Sequence, residues 1–177
     1  AMERRGYLSA GPFVPEVVLE HPEVVTQLHR EFIRAGSDVV QAFTYYGHRE
    51  KLRIIGKEHL LEPMQKNALK IAKDAAAEFK DLDLMVCGDV ANTNVFDPGD
   101  ANTHKQCQKM YEEQVAWAKE AGVDFVIAET ISWTDEMKIA LKAIKDAGLI
   151  AVCNFAIPRG DKTREGHSAE DACKMME

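Results

Sequence analysis

The chain has no apolar run approaching the ~20 residues that a membrane span needs. Nor is its opening Ala1-Met2-Glu3-Arg4-Arg5 followed by an apolar segment of the secretory type. Both absences point to the cytoplasm and set a membrane partner aside. There is no clustered basic face: the formal net charge is -7 and lysines are scattered among glutamates, which argues against a nucleic-acid surface. The four cysteines, Cys87, Cys107, Cys153 and Cys173, form no CxxC or CxxxC pair, which disfavours a zinc module. Without a secretion signal disulfides are not expected either, so all four read as packing residues. No GxGxxG, Walker loop, GxSxG or HExxH occurs, which removes the nucleotide, serine-hydrolase and zinc-protease readings.

What the chain does have is a repeated joint. Arg34-Ala35-Gly36-Ser37-Asp38-Val39-Val40-Gln41-Ala42-Phe43-Thr44 returns as Glu120-Ala121-Gly122-Val123-Asp124-Phe125-Val126-Ile127-Ala128-Glu129-Thr130, with a weaker echo at Asp146-Ala147-Gly148-Leu149-Ile150-Ala151-Val152-Cys153-Asn154. Gly suits the left-handed residue that closes a helix, so each copy reads as helix, stop, short loop, strand and polar tip. Amphipathic stretches separate the copies, and strands that alternate with helices make a parallel sheet wrapped by its own crossovers. Strands are expected near 38–44, 84–90, 124–129 and 150–156. Helices are expected from Pro15, restarting at His21-Pro22-Glu23 with Val24, Val25, Leu28, Phe32 and Ile33 as the buried stripe and His21 and His29 exposed. Others are expected over 52–79 with a break before Pro63, over 103–121 capped by Thr103, from Thr134-Asp135-Glu136 with Met137, Ala140, Leu141 and Ile144 inward, and from Ser168 with Asp171 completing a capping box.

The strand tips gather Thr44 with Phe43, Tyr45 and Tyr46, Asp89 with Asn92, Glu129 with Thr130, and Asn154. In a parallel sheet all lie at one edge, where both open α/β sheets and closed barrels bind ligands. Glu129 ends the most apolar strand. It either grips an ammonium group or acts as a base, or it ties down a loop. Asp89 and Tyr46 each admit a ligand-facing and a packing role.

Several segments also carry a resemblance. Arg5-Gly6-Tyr7, Ala10-Gly11-Pro12-Phe13-Val14-Pro15-Glu16, His21-Pro22-Glu23, Leu28-His29-Arg30-Glu31-Phe32-Ile33-Arg34-Ala35-Gly36-Ser37, Gln41-Ala42-Phe43-Thr44-Tyr45-Tyr46 and Phe125-Val126-Ile127-Ala128-Glu129 resemble the N-terminal half of the betaine-homocysteine S-methyltransferase family. The resemblance implies a (β/α)₈ barrel that uses zinc and transfers methyl from an onium donor to homocysteine, giving methionine. It implies that Glu129 holds the homocysteine amino group, that Phe13 and Tyr46 line the methyl-donor pocket, and that Thr44 and Phe43 lie beside them. The resembled enzymes carry Trp where this chain has Phe13, and often Tyr where it has Thr130. A cation–π contact favours Trp over Phe, so S-methylmethionine stands beside betaine as a donor.

A complete barrel of this kind runs to ~250 residues or more. About half of the strand–helix units are legible here, and residues 1–177 read as a partial barrel domain without the first strand and without the C-terminal half that holds the zinc ligands. The expectation that follows is a chain that shapes a homocysteine pocket, contains no catalytic or metal-ligating residue of its own, is inactive alone and self-associates as a homo-oligomer through its open edges. The alternative is a non-catalytic half-barrel that binds or pairs with another copy. An unrelated aldolase or phosphate-sugar isomerase would need a strand-tip Lys or a late phosphate loop, and no strand tip here carries a Lys.

Overall fold

The computed structural model describes residues 15–157 and 160–177. Helices α1 (Val17–Glu20) and α2 (Pro22–Arg34) precede strand β1 (Val39–Gln41); then come α3 (Arg49–Ile54), α4 (Leu61–Ala77), β2 (Met85–Ala91), α5 (Ala101–Ala121), β3 (Phe125–Ile131), α6 (Thr134–Asp146), β4 (Ile150–Phe155) and α7 (Ala169–Lys174). The four strands form one sheet in the order β1-β2-β3-β4, and every neighbouring pair is parallel. A doubly wound sheet reverses its order partway and takes helices on both faces. Among the described residues the order runs β1 to β4 without reversal, the order in which strands follow one another around a barrel wall.

Register sorts the side chains into two faces, because successive residues of a strand point to opposite sides. Val40, Ala42, Val86, Val90, Val126 and Ala128 are buried with Leu69 and Ala72 of α4, Tyr111, Val115 and Ala118 of α5, and Met137, Ala140 and Ile144 of α6. That is the helix-covered outer face. Gly88 belongs to it: a Cβ there would sit 3.0 Å from Ala118 Cβ and 3.4 Å from Val126 Cγ2, so the bare backbone lets α5 lie close on β2. The inner face carries Val39 and Gln41, then Cys87, Asp89 and Ala91, then Phe125, Ile127 and Glu129, then Val152 and Asn154, paired strand to strand. A second core, with Val17, Val18, Val25, Leu52 and Met64, fills the space among α1, α2, α3 and α4.

The Ala-Gly joints behave as expected. Gly122 closes α5 at φ 69°, its N–H returning to Ala118 and Lys119 carbonyls. Ser168 caps α7, accepting from the Asp171 N–H at 3.1 Å and donating to the Asp171 carboxylate at 2.7 Å.

Other local expectations are corrected. The long helical stretch breaks at Gly56 and a 3₁₀ turn, Glu58–Leu60, and Pro63 sits inside the first turn of α4, where its absent N–H has no intrahelical partner to lose. Asp100, not Thr103, caps α5, accepting from Asn102 N–H at 2.8 Å, while the Thr103 hydroxyl turns back to the Asp97 and Asp100 carbonyls. Thr134 is the first residue of α6 rather than its cap; Glu165 reaches in to accept from the Asp135 N–H at 3.1 Å. Leu141 is half-buried and Cys173 exposed. On α2 the roles of two residues are exchanged: His29 is buried and Phe32 is 58% exposed. Among the described residues no helix is long and apolar enough to cross a membrane.

Candidate substrate-binding site

Strand β1 ends early because its backbone turns. The Ala42 N–H continues the ladder to the Cys87 carbonyl at 2.9 Å, but the Thr44 N–H then folds back on the Ala42 carbonyl at 2.8 Å. The buried Thr44 hydroxyl donates to the Asp89 carbonyl at 3.0 Å, which fastens this turn to β2. Thr44 therefore spends its polar group on the scaffold. Phe43 and Tyr45, on either side of it, line a cavity of about 540 Å³ whose other walls include His29, Gln41, Asp89 and Glu129. That volume suits a small metabolite.

Glu129 comes to the cavity from β3, where a register shift between Glu129 and Ile131 leaves Thr130 at φ 61°. Positive φ is an outlier for a β-branched residue and marks a backbone held by its surroundings. The bulge re-aims the strand tip. The Glu129 carboxylate accepts from the Gln41 amide at 3.0 Å. Since β2 lies between the strands of these two residues, their bridge spans the inner face of β2 and covers Cys87 and Asp89. Asp89 is 3% exposed. Burial first, then the negative charge of Glu129, hold its carboxyl well above the usual carboxylate range. Burial, with the charges of Asp89 and Glu129, also pushes the Cys87 thiol up to about 12, so it is a thiol and not a thiolate nucleophile at neutral pH.

Burial likewise raises the Tyr45 phenol to about 12 and lowers His29 to about 4. Both groups are neutral in the physiological range. His48 is lowered to about 4, by burial and then by Lys51, and its Nδ1 makes a long 3.5 Å cap to the Lys51 N–H at the start of α3.

The residues expected at this site are placed as follows. Glu129 and Phe43 line the cavity; Thr44 braces it from behind. Tyr46, at φ 57°, stands outside the lining, its ring centroid 4.3 Å from that of Tyr45 and tilted 42° to it, with Lys51 Nζ 4.1 Å from its own ring centroid. One face of Tyr46 is thus already taken by a cation of the protein itself. Phe13 lies outside the described residues. Sequence gathered Tyr45 at the strand tip without giving it a role, expected His29 to be exposed and did not single out Gln41; all three line the cavity. A second, smaller space of about 200 Å³ opens at the same edge among Asn92, Asn94, Phe96, Ser132, Trp133, Glu136 and Arg164. Beside it the buried Glu136 accepts from the Thr93 N–H and hydroxyl, at 2.8 and 2.6 Å, and from the Tyr111 hydroxyl at 3.1 Å, which ties the β2–α5 loop to α6.

Among the described residues no three His, Cys, Asp or Glu side chains group so as to hold a metal ion. The cysteines show why. Cys87 is on the inner sheet face, Cys107 meets the Thr93 hydroxyl at 3.1 Å on α5, Cys153 is on the outer face and Cys173 is on α7. The zinc implied by the resemblance does not fit this set.

The comparisons with known proteins agree with this architecture. The family profile for homocysteine S-methyltransferase matches residues 2–177. The chain is 37% identical over 166 residues to betaine–homocysteine S-methyltransferase 1 of Bos taurus, covering 91% of this chain and 40% of that one. The Sus scrofa protein of the same name is also 37% identical over 166 residues, with 58% of it covered. The chain thus spans 40% and 58% of the length of these two relatives. In fold it superposes on the metallated form of the homocysteine methyltransferase MmuM from Escherichia coli with a TM-score of 0.82 at 18% identity, over 99% of this chain and 66% of that one. The parallel sheet and its helices are part of a (β/α) barrel, and the chain belongs to the homocysteine S-methyltransferase family.

Proposed function

We propose that these four strands form the homocysteine-binding part of a barrel that transfers methyl from an onium donor, betaine or S-methylmethionine, to homocysteine. The observation that carries this reading is Glu129, a carboxylate at the carboxyl edge of the sheet, fixed by Gln41 on the wall of a metabolite-sized cavity. In this role Glu129 accepts the ammonium group of homocysteine, and Phe43 and Tyr45 supply apolar walls along the side chain. In the transfer, sulfur forms a bond to the methyl carbon as the carbon–onium bond breaks, and the leaving group departs neutral with the electron pair. A thiol reacts in this way as its thiolate, which zinc would favour when bound. The described residues bind and orient; none of them is assigned the ionisation of the thiol.

The same reading makes homocysteine and the donor the partners, with the cytoplasm as the place of action. It is tested by incubating the full-length protein with homocysteine and either betaine or S-methylmethionine and measuring methionine. Formation from one donor supports the reading and names the donor. No methionine from either, with folded and zinc-supplied protein, contradicts it.

One observation favours the non-catalytic alternative. On the inner face, Met85, Ile150 and Val152 are exposed, Ile150 by 69%, which is an apolar surface suited to pairing with another copy. Methionine formation removes that alternative.

A further inference from the structure

Glu129 and Gln41 satisfy each other, but Asp89 beneath their bridge is left over. Among the described residues neither of its carboxyl oxygens meets a donor. The groups that face it explain why. From β3 comes Glu129, an acceptor; from β1 comes the Gln41 amide, which donates to Glu129 at 3.0 Å and whose pull on the Asp89 carboxyl is weaker than the opposing effects of burial and Glu129; from β2 itself comes the neutral Cys87 thiol. The Thr44 hydroxyl is bonded to the Asp89 carbonyl, not its carboxyl. Tyr45 and His29 line the same cavity and are neutral, and no Lys or Arg is among the described residues that line it. Two carboxylates side by side without a cation repel, and a buried carboxylate without a donor is costly. A single proton between the two groups removes both penalties.

We propose that Asp89 is a positioning residue for Glu129: as a neutral carboxylic acid it donates its O–H to the Glu129 carboxylate, so that β1 and β2 each fasten Glu129 with one hydrogen bond. The remaining lone pairs of Glu129 then point into the cavity toward a substrate ammonium group. The direction in which burial and Glu129 shift the Asp89 carboxyl agrees with this state, and apolar burial is how proteins keep an acid protonated at neutral pH so that it can donate. No covalent bond changes; the proton stays on the pair. The identity of the ligand rests on the proposed homocysteine role, whereas the protonation of Asp89 does not.

The test compares Asp89→Asn and Asp89→Ala in the full-length protein by infrared spectroscopy and homocysteine calorimetry. A protonated-carboxyl carbonyl band is expected at neutral pH in the parent protein and absent from Asp89→Asn. Asparagine keeps a donor, so its homocysteine affinity stays within about threefold, while Asp89→Ala loses about ten- to a hundredfold. Absence of the band in the parent protein overturns the proposal. So does an Asp89→Asn variant as weak as Asp89→Ala, because charge rather than the O–H would then matter. If the band behaves as expected but homocysteine does not bind the parent protein, the proton assignment stands and the substrate reading fails.

Discussion

Acidification through His29 offers a quantitative check on the packing around the cavity. His29 is 7% exposed, its Nε2 finds no partner among the described residues, and burial lowers it from 6.5 to about 4. Below pH 6.5 the unfolded chain takes up a proton at this ring that the folded chain refuses until about pH 4. Stability from His29 is therefore complete above pH 6.5 and is lost as the pH falls toward 4. At roughly 1.4 kcal/mol per pH unit, the loss comes to about 3 kcal/mol. Carboxylates and His48 titrate over the same range, so the informative quantity is a difference. His29→Leu keeps the volume and removes the titration; urea denaturation at a series of pH values should show the variant losing about 3 kcal/mol less than the parent between pH 6.5 and 4. Parallel curves would refute the burial argument and place His29 in water.

Further outcomes follow from single contacts. Gly88→Ala drives a methyl group against Ala118 Cβ at 3.0 Å and should cost about 1–3 kcal/mol in denaturant unfolding, whereas a neutral result would mean that α5 can slide off β2. Exposed Cys173 should be alkylated quickly in native protein, while Cys87 and Cys107 should resist until it unfolds; fast modification of Cys87 would show that the Gln41–Glu129 bridge does not cover it. The Asp89 contribution to stability should be complete below the ordinary Asp range and be lost as the pH rises through the raised Asp89 value, so the parent minus Asp89→Asn difference in unfolding free energy should fall with rising pH; a pH-independent difference would contradict the raised Asp89 value.

The strands were legible because sequence sets them locally. Continuous apolar runs such as Phe125-Val126-Ile127-Ala128 need both faces covered, and each Ala-Gly joint marks the preceding helix end. The long side-chain relations were not. Gln41 sits in the same repeated phrase as its counterparts, and only strand order shows that it reaches over β2 to Glu129. Asp89 was undecided between ligand and packing, since burial depends on what lies over it. On α2 an apolar stripe through Val25, Leu28, Phe32 and Ile33 pointed His29 outward; the fold buries His29 against the cavity and leaves Phe32 outside, a rotation that periodicity alone does not reveal. Tyr46 was a natural choice for an aromatic wall, yet the positive φ at that residue leaves Tyr45 as the ring that lines the cavity.

The central claim is that Glu129 holds the substrate's ammonium group, and it is tested most directly by titrating homocysteine into full-length parent and Glu129→Gln proteins in a calorimeter while following their melting temperatures. Gln keeps the shape and the Gln41 contact but removes the charge. A charge-assisted hydrogen bond of roughly 1.5–3 kcal/mol predicts affinity weakened by about ten- to a hundredfold with the melting temperature little changed. Unchanged affinity with a collapsed melting temperature would make Glu129 a structural carboxylate and contradict the account.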